Sequence, residues 1–351
     1  GIFTMSGVVR ITDNNNNGVA NNVYLDRQTI TITGKLDENA GIGVSTFTPP
    51  NLIYPVTFAG AGTDYTLTED DVARFTSDKA YFPFLVDNEA KLYKTEIQNH
   101  PVCGRTCDHP DDEKHPDVIW TGISSLDMIR QSGSGYYYLT DNVTLSDTVD
   151  LSGYASVHLC LNGKTITGGG LVCQNYTLCD CVGGGKITGS TSAEGCIKLK
   201  SGTFDMYGGS ITGNETLGVY VDGGTFNMHG GEITENNDTG TDGCAGGVYV
   251  KDGVMSVAGN VKITVNKKDG TTSNVCLPAG KTLTVNGALT EEASIGVITE
   301  TPIDAGDEAA VAVGADGYTL TDADLEAFAS DNGYTKVLQD DANSITFQNG
   351  V

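Results

Sequence analysis

An 18-residue pattern occurs twice in this chain at an interval of 22 residues: IKLKSGTFDMYGGSITGN at 197–214 and VYVDGGTFNMHGGEITEN at 219–236. The shared template is apolar-x-apolar, then Gly-x-Phe-x-Met, then Gly-Gly-x-Ile-Thr-x-Asn. A third copy, VYVKDGVMSVAGNVKITVN at 248–266, keeps Val248, Val250, Met255, Val257 and Ile263. NVCL at 274–277 and TLTV at 282–285 are outlying fragments. Each copy holds three short stretches of period-two alternation separated by Gly or Asn turns, as expected of strands with one buried face. One copy cannot bury that face alone, but stacked copies can, each strand bonding to its counterpart about 4.8 Å above. The pattern predicts an all-β fold, a parallel β-helix with three strands per rung and about 22–30 residues per rung. A propeller would need blades of about 40 residues and four strands.

Val219, Val221, Phe226, Met228 and Ile233 should point inward, each worth roughly 1.5–3 kcal/mol when buried. Asn214, Asn236 and Asn266 recur at one corner, where stacked amides are tolerated. Gly208-Gly209 and Gly230-Gly231 supply tight corners. The 46 glycines therefore have a use, and no G-X-Y period of collagen accompanies them.

A longer repeat overlies the short one. Residues 1–93 align with 253–347, at an offset of 252 at the start and 253 by Tyr81, which pairs with Tyr334. GIFTMSGVVRIT matches GVMSVAGNVKIT, NNVYL matches SNVCL, and DYTLTEDDVARFTSD matches GYTLTDADLEAFASD. Two segments so alike should share one fold, as in a slice of a longer tandem array. The rungs stop at Thr48-Pro49 and Thr301-Pro302. Thr68-x-x-Asp71 and Thr321-x-x-Asp324 then predict N-capped helices of two turns, followed by strands near 81–86 and 334–338. The organisation expected is terminal rungs of a first unit at 1–47, its α/β cap at 48–93, and a Cys/His-rich linker at 94–118. A second β-helix follows at 119–300, and its cap at 301–351. Ser124-x-x-Asp127 opens a helical plug for that second coil. The first 46 residues hold only about two rungs, fewer than the three or so needed for stability.

Acidic residues outnumber basic ones 45 to 20, a net charge of −25, which argues against nucleic acid and anionic membranes as partners. No run of about 18 apolar residues suggests a membrane span. Gly1 opens directly into repeat-like sequence, as a mature fragment would.

The segments VHLCLNGKTITG at 157–168 and CDCVGGGKITG at 179–189, with the GTFxMxGGxITxN rungs, resemble cell-surface, adhesin-like proteins of Gram-positive anaerobic gut bacteria. That resemblance implies a right-handed parallel β-helix of the pectate-lyase-like superfamily, a handedness that parallel crossovers also favour. It implies an extracellular location, at the bacterial surface or secreted, and brings no catalytic residues to carry over. The function expected is a non-catalytic stalk or binding surface, with host or cell-surface glycans or proteins as partners. The alternative is a β-helix that binds or cleaves host or dietary polysaccharide.

Candidate sites are few. His100-x2-Cys103-x3-Cys107-x-His109, with His115 following, offers an N/S donor set suited to structural zinc. A Cys103–Cys107 disulfide or a solvated linker fits the same residues. Cysteines 160, 173, 179, 181, 196, 244 and 276 read as small core residues, with Cys179 and Cys181 on one strand face and disulfides between rungs possible. Tyr24, Tyr220 and Tyr249 fall at equivalent outward positions, a stripe able to pack against sugar rings or a partner, or simply to support the sheet. Lys198 shares the strand position of Tyr220 and Tyr249, while Asp205, Asn227 and Ser256 share another, with no carboxylate pair on adjacent rungs. Asp13-x-Asn15-x-Asn17-Gly18 matches half a calcium loop, but position 24 is Tyr where the loop needs Glu. Asp238-Thr239-Gly240 reads as a flexible turn. No catalytic residue and no cofactor besides the possible zinc is assigned.

Overall fold

In the computed structural model, residues 2–51, 54–94, 97–99, 119–240, 244–339 and 343–350 are described. The chain is all-β, half of it strand and 5% helix, with a large parallel sheet of many strands, consistent with a parallel β-helix. It divides into two compact units. One comprises residues up to Asn99 with Ile119–Ile123, and the other contains Ser124–Val351.

In the second unit the strands fall into three stacked columns. The first runs Gly135–Leu139, Val157–Cys160, Tyr176–Cys179, Thr203–Met206, then the start of Thr225–Thr234 and of Val254–Thr264. The second stacks Val143–Thr144, Thr165–Thr167, Lys186–Thr188 and Ser210–Thr212 on the far ends of the same two long strands. The third stacks Thr148–Asp150, Gly170–Cys173, Ile197–Leu199, Val219–Val221, Val248–Val250 and Val275–Leu277. Phe204 pairs with Phe226 and Ile211 with Ile233, the expected 22-residue step. Two steps are shorter than expected: Val157 pairs with Tyr176, 19 residues on, and Thr165 with Lys186, 21 residues on, because the turns joining the intervening strands are brief.

All five residues predicted to point inward are fully buried. Each column contributes an apolar row to the core. Ile166, Ile187, Ile211, Ile233, Ile263 and Ile295 form one such row. Phe204 and Phe226 stack with centroids 4.7 Å apart. Gly209 and Gly231 hold left-handed φ of 82° and 91°, so the paired glycines do turn the corners.

The matching segments fold alike. Phe3–Gly7, Ile30–Leu36 and Val56–Ala61 stack in parallel in the first unit, as Val254–Thr264, Leu283–Leu289 and Glu308–Gly314 do in the second. Helix α1 (Glu69–Val72) and helix α3 (Asp322–Ala327) both begin at the predicted threonines, Thr68 and Thr321, with complete capping boxes. α1 is one turn rather than two, since the chain leaves it directly for the strand Phe75–Ser77. Each unit then closes its first column with an antiparallel hairpin, Phe82–Val86 with Glu89–Tyr93 and Thr335–Gln339 with Ser344–Gln348. The intervening helix α2 (Asp127–Ser132) starts later than Ser124 implied. Its N-cap is Leu126, which makes no side-chain cap bond. A short strand, Ile97–Asn99, lies within the expected linker and pairs with Ile119–Thr121.

Candidate functional site

The outward rows of the second unit carry its chemistry. At one corner Asn214, Asn236 and Asn266 form the expected amide stack, and the structure extends it. Each Nδ2 donates to the next Oδ1, from Asn214 to Asn236 (2.7 Å), Asn266 (2.9 Å) and Asn274 (3.1 Å). Asn274 donates both its Nδ2 and its backbone N–H to Asp331, at 2.8 and 2.7 Å. A carboxylate only accepts, so Asp331 ends the relay. Burial pushes the Asp331 carboxyl up, against the two Asn274 donors that pull it down. The corner is tight: a Cβ on Gly296 would lie 2.3 Å from Asn274 Nδ2 and 2.5 Å from Asp331 Oδ1.

On the first column Asp205, Asn227 and Ser256 stack in register, as expected. Asn227 donates to Asp205 (2.9 Å), Ser256 to Asn227 (2.7 Å) and Asn286 to Ser256 (3.0 Å). Burial would raise the Asp205 carboxyl, but His229 and Asn227 outweigh it and hold it below the usual range. Tyr207 stacks on His229 at 4.5 Å, and Tyr136 on His158 at 4.1 Å.

On the third column Lys198, Tyr220 and Tyr249 occupy one outward row. The two tyrosine rings stack at 5.8 Å and 7°. They are not an exposed stripe, with exposures of only 9% and 8%. Leu217, Ala245 and the Cys244–Cys276 disulfide pack against them; Leu217, Cys244 and Ala245 arrive from loops outside the strand pattern, while Cys276 follows Tyr249 in the same row. Tyr24 belongs to the first unit and is 54% exposed. Lys198 and Lys251 lie over the Tyr220 ring at 5.2 and 5.7 Å, and both pair with Asp222. Burial works to lower the Lys198 ammonium, yet Glu194 and Asp222 prevail and hold it up.

Beside Tyr220 lies a cavity of about 400 Å³ whose lining includes Ser192, Glu194, Glu215, Thr216 and Asp238. Hydroxyls and carboxylates around one aromatic edge can hold a hydroxyl-rich ligand. Asp238, expected in a flexible turn, is instead buried and ion-paired with Lys268 at 2.6 Å. Its carboxylate also accepts from Gly240 N at 3.0 Å, while Lys268 donates to the Gly240 carbonyl.

The remaining candidates separate. His100, Cys103, Cys107, His109 and His115 lie outside the described residues. Among the described residues no group of three or more His, Cys, Asp or Glu could hold a metal ion. Asp13–Gly18 forms part of a small hairpin, Asn15–Asn16 pairing with Val19–Ala20. Cys160, Cys173, Cys179 and Cys196 are buried, as core residues should be. Cys181 is exposed and lies beyond the end of the strand at Cys179, with its Sγ 3.2 Å from the Cys160 Sγ. Asp331 and the Asp238–Lys268 pair escaped the sequence reading. The alignment of Asn22 and Asp78 with Asn274 and Asp331 was the available signal for Asp331.

No protein family, no curated protein and no solved structure matches the chain.

Proposed function

We propose that this chain is a segment of a right-handed parallel β-helix from an extracellular, adhesin-like bacterial surface protein, serving as a rigid stalk or binding surface and not as an enzyme. The supporting observation is what the outward rows do. Their carboxylates are engaged in cross-rung pairs: Asp150 with Lys200, Asp205 with Asn227, Asp222 with Lys198 and Lys251, Glu232 with Lys262. Asp150, Asp205 and Asp222 are held below the usual carboxylate range, unlike a general acid, which must keep its proton near neutrality. The acidic exterior keeps a long stacked surface soluble and makes nucleic acid an unsuitable partner. A zinc-organised loop at His100, Cys103, Cys107 and His109 belongs to the same proposal, checked by metal analysis of the purified protein.

The cavity beside Tyr220 favours a second reading, a carbohydrate-binding or carbohydrate-active surface for host or dietary glycans. A glycan array paired with a polysaccharide-degradation screen separates the two. Saturable glycan binding without cleavage is the adhesin outcome. Release of oligosaccharides would overturn the non-catalytic assignment.

A further inference from the structure

The internal duplication supplies a measure of what is uncovered on the first unit. In the second unit, Val254–Thr264 has a neighbour on both sides. It pairs with Thr225–Thr234 before it and with Leu283–Leu289 and Ser294–Thr299 after it. Its counterparts in the first unit, Phe3–Gly7 and Arg10–Ile11, pair only with the following rung among the described residues. Val23–Leu25 is likewise paired on one side, where its counterpart Val275–Leu277 is paired on two. The exposures follow. Phe3 is 42% exposed where Met255 is buried, and Tyr24 is 54% exposed where Cys276 is buried.

The corner ladder points the same way with different chemistry. Asn14 reproduces every bond that Asn266 makes downstream. Its backbone N–H and Nδ2 donate to Asn22 Oδ1 (2.9 and 3.2 Å), and Nδ2 also to Thr12 O (3.1 Å). Asn266 gives the same three bonds to Asn274 and Thr264. Upstream the two differ. Asn266 Oδ1 accepts from the backbone N–H and Nδ2 of Asn236 at 3.1 and 2.9 Å. Asn14 Oδ1 has no donor among the described residues, so the relay ends on an open acceptor.

We infer that this edge of the first unit is a docking surface for one further rung of the same template, running in the same chain direction. The occupant is specified by what covers the counterpart. It carries an apolar pair to stack on Phe3 and Met5, an isoleucine for Ile11, a V-x-V strand for Val23–Leu25, and a corner asparagine that donates twice to Asn14 Oδ1. A second copy of this chain does not supply it. The edges of the first column that face the right way are already closed by antiparallel strands, Glu89–Tyr93 on Val56–Ala61 and Ser344–Gln348 on Glu308–Gly314. This inference rests on the stacked-rung reading of the fold.

The test appends a rung and watches the edge. Residues 225–252, with Cys244→Ser, are fused directly before Gly1, because Gly253-Val254-Met255 matches Gly1-Ile2-Phe3. Backbone hydrogen exchange is followed in peptides covering 2–12 and 22–26, and sedimentation reports mass. Exchange at least about tenfold slower than in the unfused chain is expected, and Ile233→Asp within the added rung should abolish the gain. Unchanged exchange, while 225–234 and 254–264 in their native place stay protected, would sink the docking surface and leave the stacked fold standing. Rapid exchange at those native strands too would overturn the fold reading and the inference together. Self-association of the unfused chain with protection at 2–12 would name a second copy as the occupant, against the inference.

Discussion

An asparagine amide both donates and accepts, so it can pass a hydrogen bond along a column, while a carboxylate can only receive one. That difference explains why Asn214, Asn236, Asn266 and Asn274 run in series and stop at Asp331. Asn266 sits mid-relay, bonded to Asn236, Asn274 and the Ile233 carbonyl. Asn266→Ala would strand those buried partners and should cost about 3 kcal/mol of second-unit stability, measured by denaturant unfolding. A loss below about 0.5 kcal/mol would show that the ladder is not a stabilising element. Part of this corner was readable in sequence. Asn214, Asn236 and Asn266 stand at the template's last position, at spacings of 22 and 30 residues. Asn274 comes only 8 residues after Asn266, because the short hairpin of Lys267–Lys268 with Thr271–Thr272 intervenes. Asp331 lies 57 residues further still. Neither fits the rung interval; the longer repeat, which sets them against Asn22 and Asp78, is the one pattern that carries them.

Among the elements, the two capped helices show local sequence and long-range contact agreeing. Asp71 caps α1 and also accepts from Leu36 N at 2.8 Å and from the Tyr65 hydroxyl at 2.7 Å. Asp324 does the same with Leu289 N at 3.0 Å and Tyr318 at 2.9 Å. Burial would raise the Asp71 carboxyl, but these donors outweigh it and hold it down, so its contribution persists above the usual carboxylate value and fades as pH falls through its lowered one. The tyrosines act in the opposite window. Burial, then the Asp carboxylate, pushes Tyr65 and Tyr318 from 10.0 up to about 12. Their folded values are raised, so their contribution is complete below pH 10 and lost as pH rises toward 12. Tyrosinate absorbance should show a late-titrating component that loses two tyrosines in the Tyr65→Phe, Tyr318→Phe double variant, while Tyr93, Tyr137, Tyr176 and Tyr249, also raised by burial, go on titrating late. Early titration of both would contradict the bonded geometry. The capping threonines were legible because a cap is local, four residues long. Burial of Tyr220 and Tyr249 was not, since Leu217 and Ala245 reach them from loops that follow no period.

For the whole molecule, stacked architecture makes stability nearly a sum over rungs and the interfaces between them. Among the described residues the second unit stacks eight strands in its first column, from Gly135–Leu139 to Glu308–Gly314, whereas the first unit stacks three. Both end in the same hairpin and capped helix, so the ends contribute alike and the number of interfaces separates them. Fewer interfaces also leave a larger share of the first unit's apolar surface at an uncovered edge, where Phe3 and Tyr24 stand. Calorimetry should therefore show two transitions, the lower one belonging to the first unit. Hydrogen exchange on heating would assign them, with Ile30–Leu36 losing protection at temperatures where Thr225–Thr234 retains it. A single transition in which both strands lose protection together would mean that the chain melts as one cooperative body, and that counting rungs does not predict its stability.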